Sequence, residues 1–504
     1  MHIRILINIV CILYFTIHAI YAKEMPKVHP ITGTWINLAY QDERNKYTNP
    51  KNMDNTDPQF WEEKVNELSR MGIEYLIFMA VANEGKSFYP SNIMPWAYSK
   101  NKTSPVEAIM STASRIGMKV FMSIGWAKDQ DDDLRNPVIK QRQLDIMKEL
   151  AALYGSYKSF YGWYLPVEDC ICPILAEHAV IAVNDLANRA RSYLPGKKIM
   201  ISPYGLVNSD FEHPAYERQL KKLKVDIIAY QDEVGCVREH FPLSNLGNNL
   251  RKLKKIHNKL NIDFWINSES FTWEKGTNSR SSALIPGAFP RLLSQLCIAS
   301  KAGVEKAISF VMCGLYESPK SKYKLGQPVW SNQVYSDYMD WQSGKGRWNY
   351  LEASFMDRLR NINNQWTINE SVQLQKLIDN QTASEDPNNE CWIAFDRGYH
   401  EITIDLKDVK RVNELFVRML NYAPENIRFP QKVYLWGSKD GVDFDLLSIR
   451  NSSYFPNDLH DAWIDGIWFE KLDKNIRFIK IAFNAEEKIY LDEIYINPII
   501  LKNQ

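Results

Sequence analysis

Apolar runs of strand length alternate with amphipathic runs of helix length from Ile31 to about Gly344. We read eight of the apolar runs as strands, which begin near Ile31, Tyr75, Lys119, Phe160, Lys198, Val225, Asp263 and Ala307. Eight strands with eight intervening or closing helices, over roughly 310 residues, match the count and size of a (β/α)8 barrel. The pattern therefore predicts an α/β fold, a TIM barrel, over most of the chain.

Residues at the expected helix boundaries support this repeat. Asp57 and Ser104 are each followed by proline, which is typical of a capped helix start. Gly72, Gly117 and Gly303 each end a helical run and are followed by an apolar residue and a strand. Three copies of one helix-to-strand joint favour repeated βα units over unrelated helix ends.

The pattern changes past Gly344, where short alternating runs are separated by turns. Strands are predicted at Trp392–Phe395, Glu401–Leu406, Leu415–Met419, Val433–Gly437, Trp463–Phe469, Ile476–Ala482 and Tyr490–Ile496. Many strands without helices predict a β-sandwich of about 150 residues. We therefore divide the mature chain into a barrel over residues 23–344, a linker over residues 345–367 and an all-β jelly-roll sandwich over residues 368–504.

The first 22 residues have the features of a secretory signal peptide, with Arg4 near the start, an apolar run, and a small residue at Ala22. No later run of about 18 apolar residues appears, so we expect no membrane span and a secreted or periplasmic protein. With 61 basic and 60 acidic residues, the chain has no charge pattern typical of nucleic-acid binding. Oligomeric state is not indicated by the sequence.

Acidic residues follow several of the predicted strands. Glu168 ends strand four, Asp232 and Glu233 end strand six, Glu269 ends strand seven, and Glu317 follows strand eight. In a TIM barrel these positions converge on one mouth. The alternative for each acid is a helix cap or a structural ion pair.

Aromatic residues accompany the acids, and we expect them to form a substrate-binding surface that stacks on sugar rings. They are Trp35, Trp126, Tyr164, Tyr204, Tyr230, Trp273 and Tyr316. Hydrolysis of a glycosidic bond requires two carboxyl groups, one as proton donor and one as nucleophile or base. Because the nine histidines are dispersed, without an HxH or HExxH pair, we expect no metal or other cofactor in catalysis.

Four segments, GTWINL, SRMGIEYLIF, GWYLPVE and YQDEVG, resemble the glycoside-hydrolase-like family catalogued as domain of unknown function 4434. The barrel is also similar to the large clan of retaining glycosidases that carry glutamates at the ends of strands four and seven. That resemblance implies that Glu168 is the acid/base and Glu269 the nucleophile, with Tyr230 near the nucleophile. Val167 stands where the clan has asparagine, so Asp232 or Glu233 remains an alternative second carboxylate.

The distance between the two catalytic carboxyl groups also predicts the stereochemistry of hydrolysis. A separation of about 5–5.5 Å between the two groups suits a covalent intermediate and retention, whereas about 6.5–9.5 Å leaves room for water and inversion. We favour the pair Glu168 and Glu269, because Asn267 and Trp273 flank Glu269 and can contact one sugar ring.

The C-terminal segments LIDN, WIAF, IDL, WGSKDG and LDEI resemble a discoidin (coagulation factor type C) domain of the carbohydrate-binding kind, over about Ile368 to Pro498. Such domains often hold a structural calcium ion, and the resemblance implies Asp379, Thr382 and Glu493 as its oxygen ligands. The alternative is that Asp379 only caps a turn.

Together these features predict a secreted glycoside hydrolase that acts on a poly- or oligosaccharide and has an accessory glycan-binding domain. The alternative is a non-catalytic glycan-binding protein or an adhesion module built on the same folds. Turnover of a glycan, as opposed to binding alone, separates the two hypotheses.

Overall fold

The structure is a computed structural model that describes part of the chain. The described residues are 28–38, 56–98, 102–128, 132–236, 243–274, 282–325, 330–344, 358–362, 365–368, 372–451 and 462–501. The predicted signal peptide lies outside these residues. Within them, no helix combines the length and the apolar character needed to cross a bilayer.

Eight parallel strands close into a barrel in the order β1-β8-β7-β6-β5-β4-β3-β2. They are β1 (Ile31–Ile36), β2 (Tyr75–Phe78), β3 (Lys119–Ser123), β4 (Phe160–Tyr164), β5 (Lys198–Ile201), β6 (Ile227–Gln231), β7 (Asp263–Glu269) and β8 (Lys306–Phe310). The predicted TIM barrel is thus confirmed. Six strands begin at the predicted residue, whereas β6 begins at Ile227 and β8 at Lys306.

The helices alternate with the strands. They are α1 (Pro58–Arg70), α2 (Pro105–Ile116), α3 (Pro137–Tyr154), α4 (Glu177–Tyr193), α5 (Pro214–Lys222), α6 (Leu243–His257), α7 (Phe289–Lys301) and α8 (Ser331–Gln342). The side chains of Asp57 and Ser104 accept hydrogen bonds from the first turns of α1 and α2, as predicted. Gly72, Gly117 and Gly303 have φ of +84°, +82° and +82°, the left-handed conformation that the helix-to-strand joint requires.

An aromatic cluster fills the barrel interior near the start of its strands. The rings of Tyr75, Phe121, Tyr161 and Trp265 contact one another mainly edge to face, with centroids 5.2–6.2 Å apart. The ammonium group of Lys306 lies 5.0 Å from the centroid of the Tyr75 ring. Because each such aromatic pair adds about 0.5–1.5 kcal/mol beyond its buried area, this end of the barrel is a packed core. The open end is therefore the carboxyl ends of the strands.

The C-terminal region is a sandwich of antiparallel sheets, as predicted. One sheet has five strands in the order Thr367–Ile368, Gly398–Val412, Lys474–Ala485, Lys432–Ser438 and Asp445–Asn451. The other has four strands in the order Ile393–Phe395, Ile489–Ile496, Leu415–Asn421 and Trp463–Phe469. Apolar side chains from the inner faces of both sheets form one buried cluster, which we call the sandwich cluster.

The sandwich extends beyond the boundaries predicted for it. Leu359–Arg360 pairs with Ile499–Ile500, so sheet structure reaches back into the stretch 345–367 that we assigned to a linker. Leu359 is buried against Phe416 and other aromatic residues. From the barrel side, Ile285 and Ala288 belong to the sandwich cluster itself.

Candidate active site

A cavity of about 280 Å³ opens at the carboxyl end of the barrel. It brings together three of the four predicted catalytic carboxyl groups, those of Glu168, Glu233 and Glu269. The remaining lining residues are Trp35, Met79, Tyr204, Gln231, Cys236, Asn267, Phe271, Trp273, Leu284 and Phe310. The cavity thus combines carboxyl groups, amides and aromatic rings, which is the composition expected for a sugar-binding site.

Glu269 is the most buried of these three carboxyl groups and ends strand β7, with 4% of its surface exposed. The backbone N–H of Cys236 donates to its Oε2 at 2.7 Å. Burial, together with the charges of Asp232 and Glu233, raises the pKa of Glu269 well above its usual value. A carboxyl group whose pKa is raised by burial is suited to donate a proton.

Asp232 lies behind Glu269 and does not line the cavity, which corrects the prediction that it is an alternative catalytic carboxylate. Its side chain is fully buried and accepts hydrogen bonds from the backbone N–H of Glu269 at 3.1 Å and from Nε2 of Gln295 at 2.7 Å. Burial raises the pKa of Asp232. These contacts indicate that Asp232 fixes the backbone around Glu269.

Glu233 lines the cavity, but its carboxyl group is tied to the backbone of the loop that follows β5. Its Oε2 accepts from the N–H of Val207 at 3.2 Å, and its φ of +56° turns the chain at this point. Burial raises the pKa of Glu233, while the N–H groups of Val207, Gly205 and Leu206 oppose that rise. This bonding favours a structural role for Glu233.

Glu168 is half-buried and lies at one end of a chain of polar contacts. Nε2 of Gln231 donates to Oε1 of Glu168 at 2.7 Å and to the carbonyl of Ser202 at 3.0 Å. Nδ2 of Asn267 donates to Oγ of Ser202 at 3.3 Å, and Nε1 of Trp35 donates to Oδ1 of Asn267 at 3.0 Å. These contacts link strands β1, β5, β6 and β7 and position Glu168 at the cavity.

Two residues of helix α7 that no sequence motif indicates complete the site. Arg291 is buried and donates through Nη2 to the carbonyls of Glu269 at 2.9 Å and Phe271 at 2.6 Å. Its positive charge lowers the pKa values of Asp232 and Glu269, against the larger effect of burial. Gln295 also donates to the Glu269 carbonyl at 3.1 Å.

Three of the predicted aromatic residues, Trp35, Tyr204 and Trp273, line the cavity. Tyr164 does not; it is buried, and its ring packs edge to face against Trp35 with centroids 4.6 Å apart. Tyr164 therefore supports the wall from behind.

Three other predicted substrate contacts are corrected by the structure. Tyr230 points to the helical layer, where its hydroxyl contacts Tyr216 at 3.2 Å and His257 at 3.0 Å. The alternation of side chains along β6 presents Gln231, and not Tyr230, to the cavity. Tyr316 packs against Tyr338, and Trp126 is buried outside the cavity lining.

Glu317, which was expected at the barrel mouth, does not line the cavity. It is buried beside α1, where Nζ of Lys64 donates to its Oε1 at 3.4 Å and the N–H of Leu325 donates to the same atom at 3.0 Å. Burial raises the pKa of Glu317, and the Lys64 charge lowers it. Glu317 is thus part of a structural polar cluster.

Of the predicted calcium ligands, Glu493 lies on a central strand of the sandwich. The buried Glu493 carboxyl accepts from Nδ2 of Asn361 at 3.0 Å and from the N–H of Asn380 at 2.8 Å. Burial and the nearby charge of Asp379 raise the pKa of Glu493 to about 10. Among the described residues, no group of three or more Asp, Glu, His or Cys side chains is arranged to hold a metal ion, so calcium binding by Asp379 and Glu493 stays a prediction. Thr382 lies in the same segment, and its role as a ligand stays a prediction.

The architecture resembles that of solved carbohydrate-active enzymes. A putative alpha-L-fucosidase from Bacteroides thetaiotaomicron is 21% identical, and the match covers 63% of this chain and 95% of that one with a TM-score of 0.50. A glycoside hydrolase family 5 protein from Bacteroides vulgatus is 10% identical, with 86% of each chain covered and a TM-score of 0.38. At 21% identity, the similarity to the first of these structures concerns the fold alone.

Residues 31–323 match a family model whose description is "Domain of unknown function (DUF4434)". No curated protein matches the chain.

Proposed function

Because the chain belongs to the family described as a domain of unknown function, DUF4434, we propose an activity from its site: hydrolysis of a glycosidic bond in a poly- or oligosaccharide. The observation that carries this proposal is the cavity in which Glu168 and Glu269 occur together with Trp35, Tyr204 and Trp273. Two carboxyl groups and stacking rings are what this reaction needs.

The environments of the two carboxyl groups support different roles. Burial and the charges of Asp232 and Glu233 raise the pKa of Glu269, which suits it to serve as the acid toward the leaving oxygen. Glu168 accepts a hydrogen bond from the Gln231 amide, which stabilises its ionised form as nucleophile or base. This assignment reverses the roles implied by the resemblance to retaining glycosidases.

The proposal is tested by incubating the purified protein with a panel of polysaccharides and aryl glycosides and measuring released reducing ends and aryl alcohols. Turnover that is lost in the Glu168→Gln variant supports the proposal. Binding on a glycan array without turnover of any member of the panel contradicts it and favours the non-catalytic glycan-binding protein.

The sandwich offers a second site for an accessory glycan-binding role. A cavity of about 250 Å³ is lined by Asn426, Arg428, Phe429, Pro430, Gln431, Glu486, Glu487 and Ile489. Guanidinium, amide and carboxyl groups around one aromatic ring suit sugar hydroxyls and one sugar face. If this cavity binds glycan, Arg428→Ala weakens co-sedimentation with an insoluble polysaccharide and leaves turnover of aryl glycosides unchanged.

Three further parts of the proposal rest on the sequence as well. The apolar N-terminal segment supports export, and the C-terminal segments support a discoidin-like assignment for the sandwich. Asp379 and Glu493 would hold a structural calcium ion, which would neutralise the buried carboxyl of Glu493 and fix the two segments to each other.

A further inference from the structure

A hairpin that follows β7 forms part of the cavity wall. Phe271–Trp273 pairs with Leu284–Pro286 in antiparallel register, with Trp273 opposite Leu284 and Thr272 opposite Ile285. Successive side chains on a strand point to opposite faces, so Trp273 and Leu284 share one face and Thr272 and Ile285 share the other. Trp273 and Leu284 line the cavity.

The opposite face of this hairpin meets the other domain. Ile285 has no exposed surface and belongs to the sandwich cluster, together with Ala288 at the start of α7. Neighbouring residues of one short strand thus contact different parts of the molecule: Leu284 lines the barrel cavity and Ile285 packs with the sandwich.

The contact between the hairpin and the sandwich extends to the helix whose side chains fix the backbone at Glu269. Ala288 is the residue before the first turn of α7, and that helix carries Arg291 and Gln295. Both side chains donate to the backbone carbonyl of Glu269, and Gln295 also donates to Asp232. The two segments that pack on the sandwich are therefore the wall of the cavity and the helix that fixes the end of β7.

We infer that the sandwich is an integral support of the barrel's cavity, with Ile285 as a positioning residue that holds Trp273 and Leu284 in place. The expected effect on kinetics rests on the proposed function, whereas the expected effect on the structure of the hairpin does not. Ile285 lies in the hairpin, whereas Glu168 follows β4, its partner Gln231 ends β6, and Arg291 and Gln295 lie on α7. Loosening the hairpin therefore weakens substrate binding more than it slows the chemical step.

The test compares Ile285→Ala with Ile481→Ala, a matched truncation in the same cluster. Ile481 is fully buried on a central sandwich strand and pairs with Ile402 and Leu435. Hydrogen exchange measured by mass spectrometry follows the amides of residues 271–274 and 282–285 in the full-length protein. We expect exchange at these amides to be roughly tenfold faster in Ile285→Ala and near wild type in Ile481→Ala.

The conservative variant Ile285→Val keeps most of the side chain, so we expect it to fold even if the alanine variant does not. Amide exchange in the hairpin of this variant should be near that of the wild type. With an active substrate, Ile285→Ala should raise KM roughly tenfold with little change in kcat, and Ile481→Ala should leave both unchanged. Equal exchange at the hairpin in the two alanine variants, or in Ile285→Ala and wild type, overturns the inference. Absence of turnover in the wild type contradicts the proposed function alone, because the exchange comparison does not depend on it.

Discussion

The backbone N–H of Cys236 donates to Oε2 of Glu269 at 2.7 Å, which joins the loop after β6 to the carboxyl group at the end of β7. The loop reaches Glu269 only because residue 235 is glycine. A Cβ atom there would lie 2.3 Å from the carbonyl oxygen of Phe271 and 3.2 Å from Oε2 of Glu269.

Gly235→Ala should therefore move the loop away and break the bond to Glu269. We expect kcat/KM to fall at least roughly tenfold, in line with the loss of a buried hydrogen bond to a reacting group. The matched control is Gly247→Ala in helix α6, where the nearest atoms are side-chain atoms, Nη1 of Arg251 and Cγ2 of Ile298, both at 3.3 Å. Activity of Gly235→Ala equal to that of this control would show that the loop contact does not matter for turnover.

The pH dependence of turnover should report Glu269. Because the pKa of Glu269 is raised, the proton needed by the leaving group is lost only as the pH rises through a pKa above the usual glutamate value. We expect kcat/KM to fall on the alkaline side with a pKa well above that of an ordinary glutamate. In Glu269→Gln this alkaline fall should disappear from the residual activity, and its persistence would assign the titration to another group.

Much of the fold follows from the apolar pattern, because parallel strands covered on both faces are continuous apolar runs with clear starts. The same property hides which side chains face inward, and for that reason Tyr230 was predicted at the site in place of its neighbour Gln231. Glu168 and Glu269 could be predicted from their positions at strand ends. Arg291 and Gln295 could not, since their contacts depend on how α7 packs against β7.

The roles of the two carboxyl groups can be separated by the leaving group. A general acid is dispensable when the leaving oxygen is already a weak base, whereas a nucleophile is always needed. We expect Glu269→Gln to retain activity on a dinitrophenyl glycoside and to lose roughly 10²–10⁴-fold on the corresponding alkyl glycoside. Glu168→Gln should lose activity on both, and the opposite pattern would restore the roles implied by the resemblance.

Stability of the sandwich should depend jointly on pH and calcium. The pKa of Glu493 is raised to about 10 in the folded state from about 4.5, so the folded protein holds a proton that the unfolded chain releases. Without calcium, the free energy of unfolding contributed by this group should fall as pH rises from about 4.5 to about 10. Bound calcium favours the ionised group, so it should raise Tm at pH 8 in wild type and not in Glu493→Gln. An equal effect of calcium on both proteins would exclude this site.

The central claim is that Glu168 and Glu269 hydrolyse a glycosidic bond in the barrel cavity. The most direct measurement is kcat/KM of Glu168→Gln and Glu269→Gln on the best unactivated substrate of the panel, beside Glu233→Gln as the control carboxyl that lines the same cavity. We predict losses of at least roughly 10²-fold for the first two variants, with wild-type Tm. The loss for Glu233→Gln should be less than about tenfold, even though this change alters the contact with Val207 and removes one charge near Glu269. Near wild-type activity of either Glu168→Gln or Glu269→Gln would contradict the account.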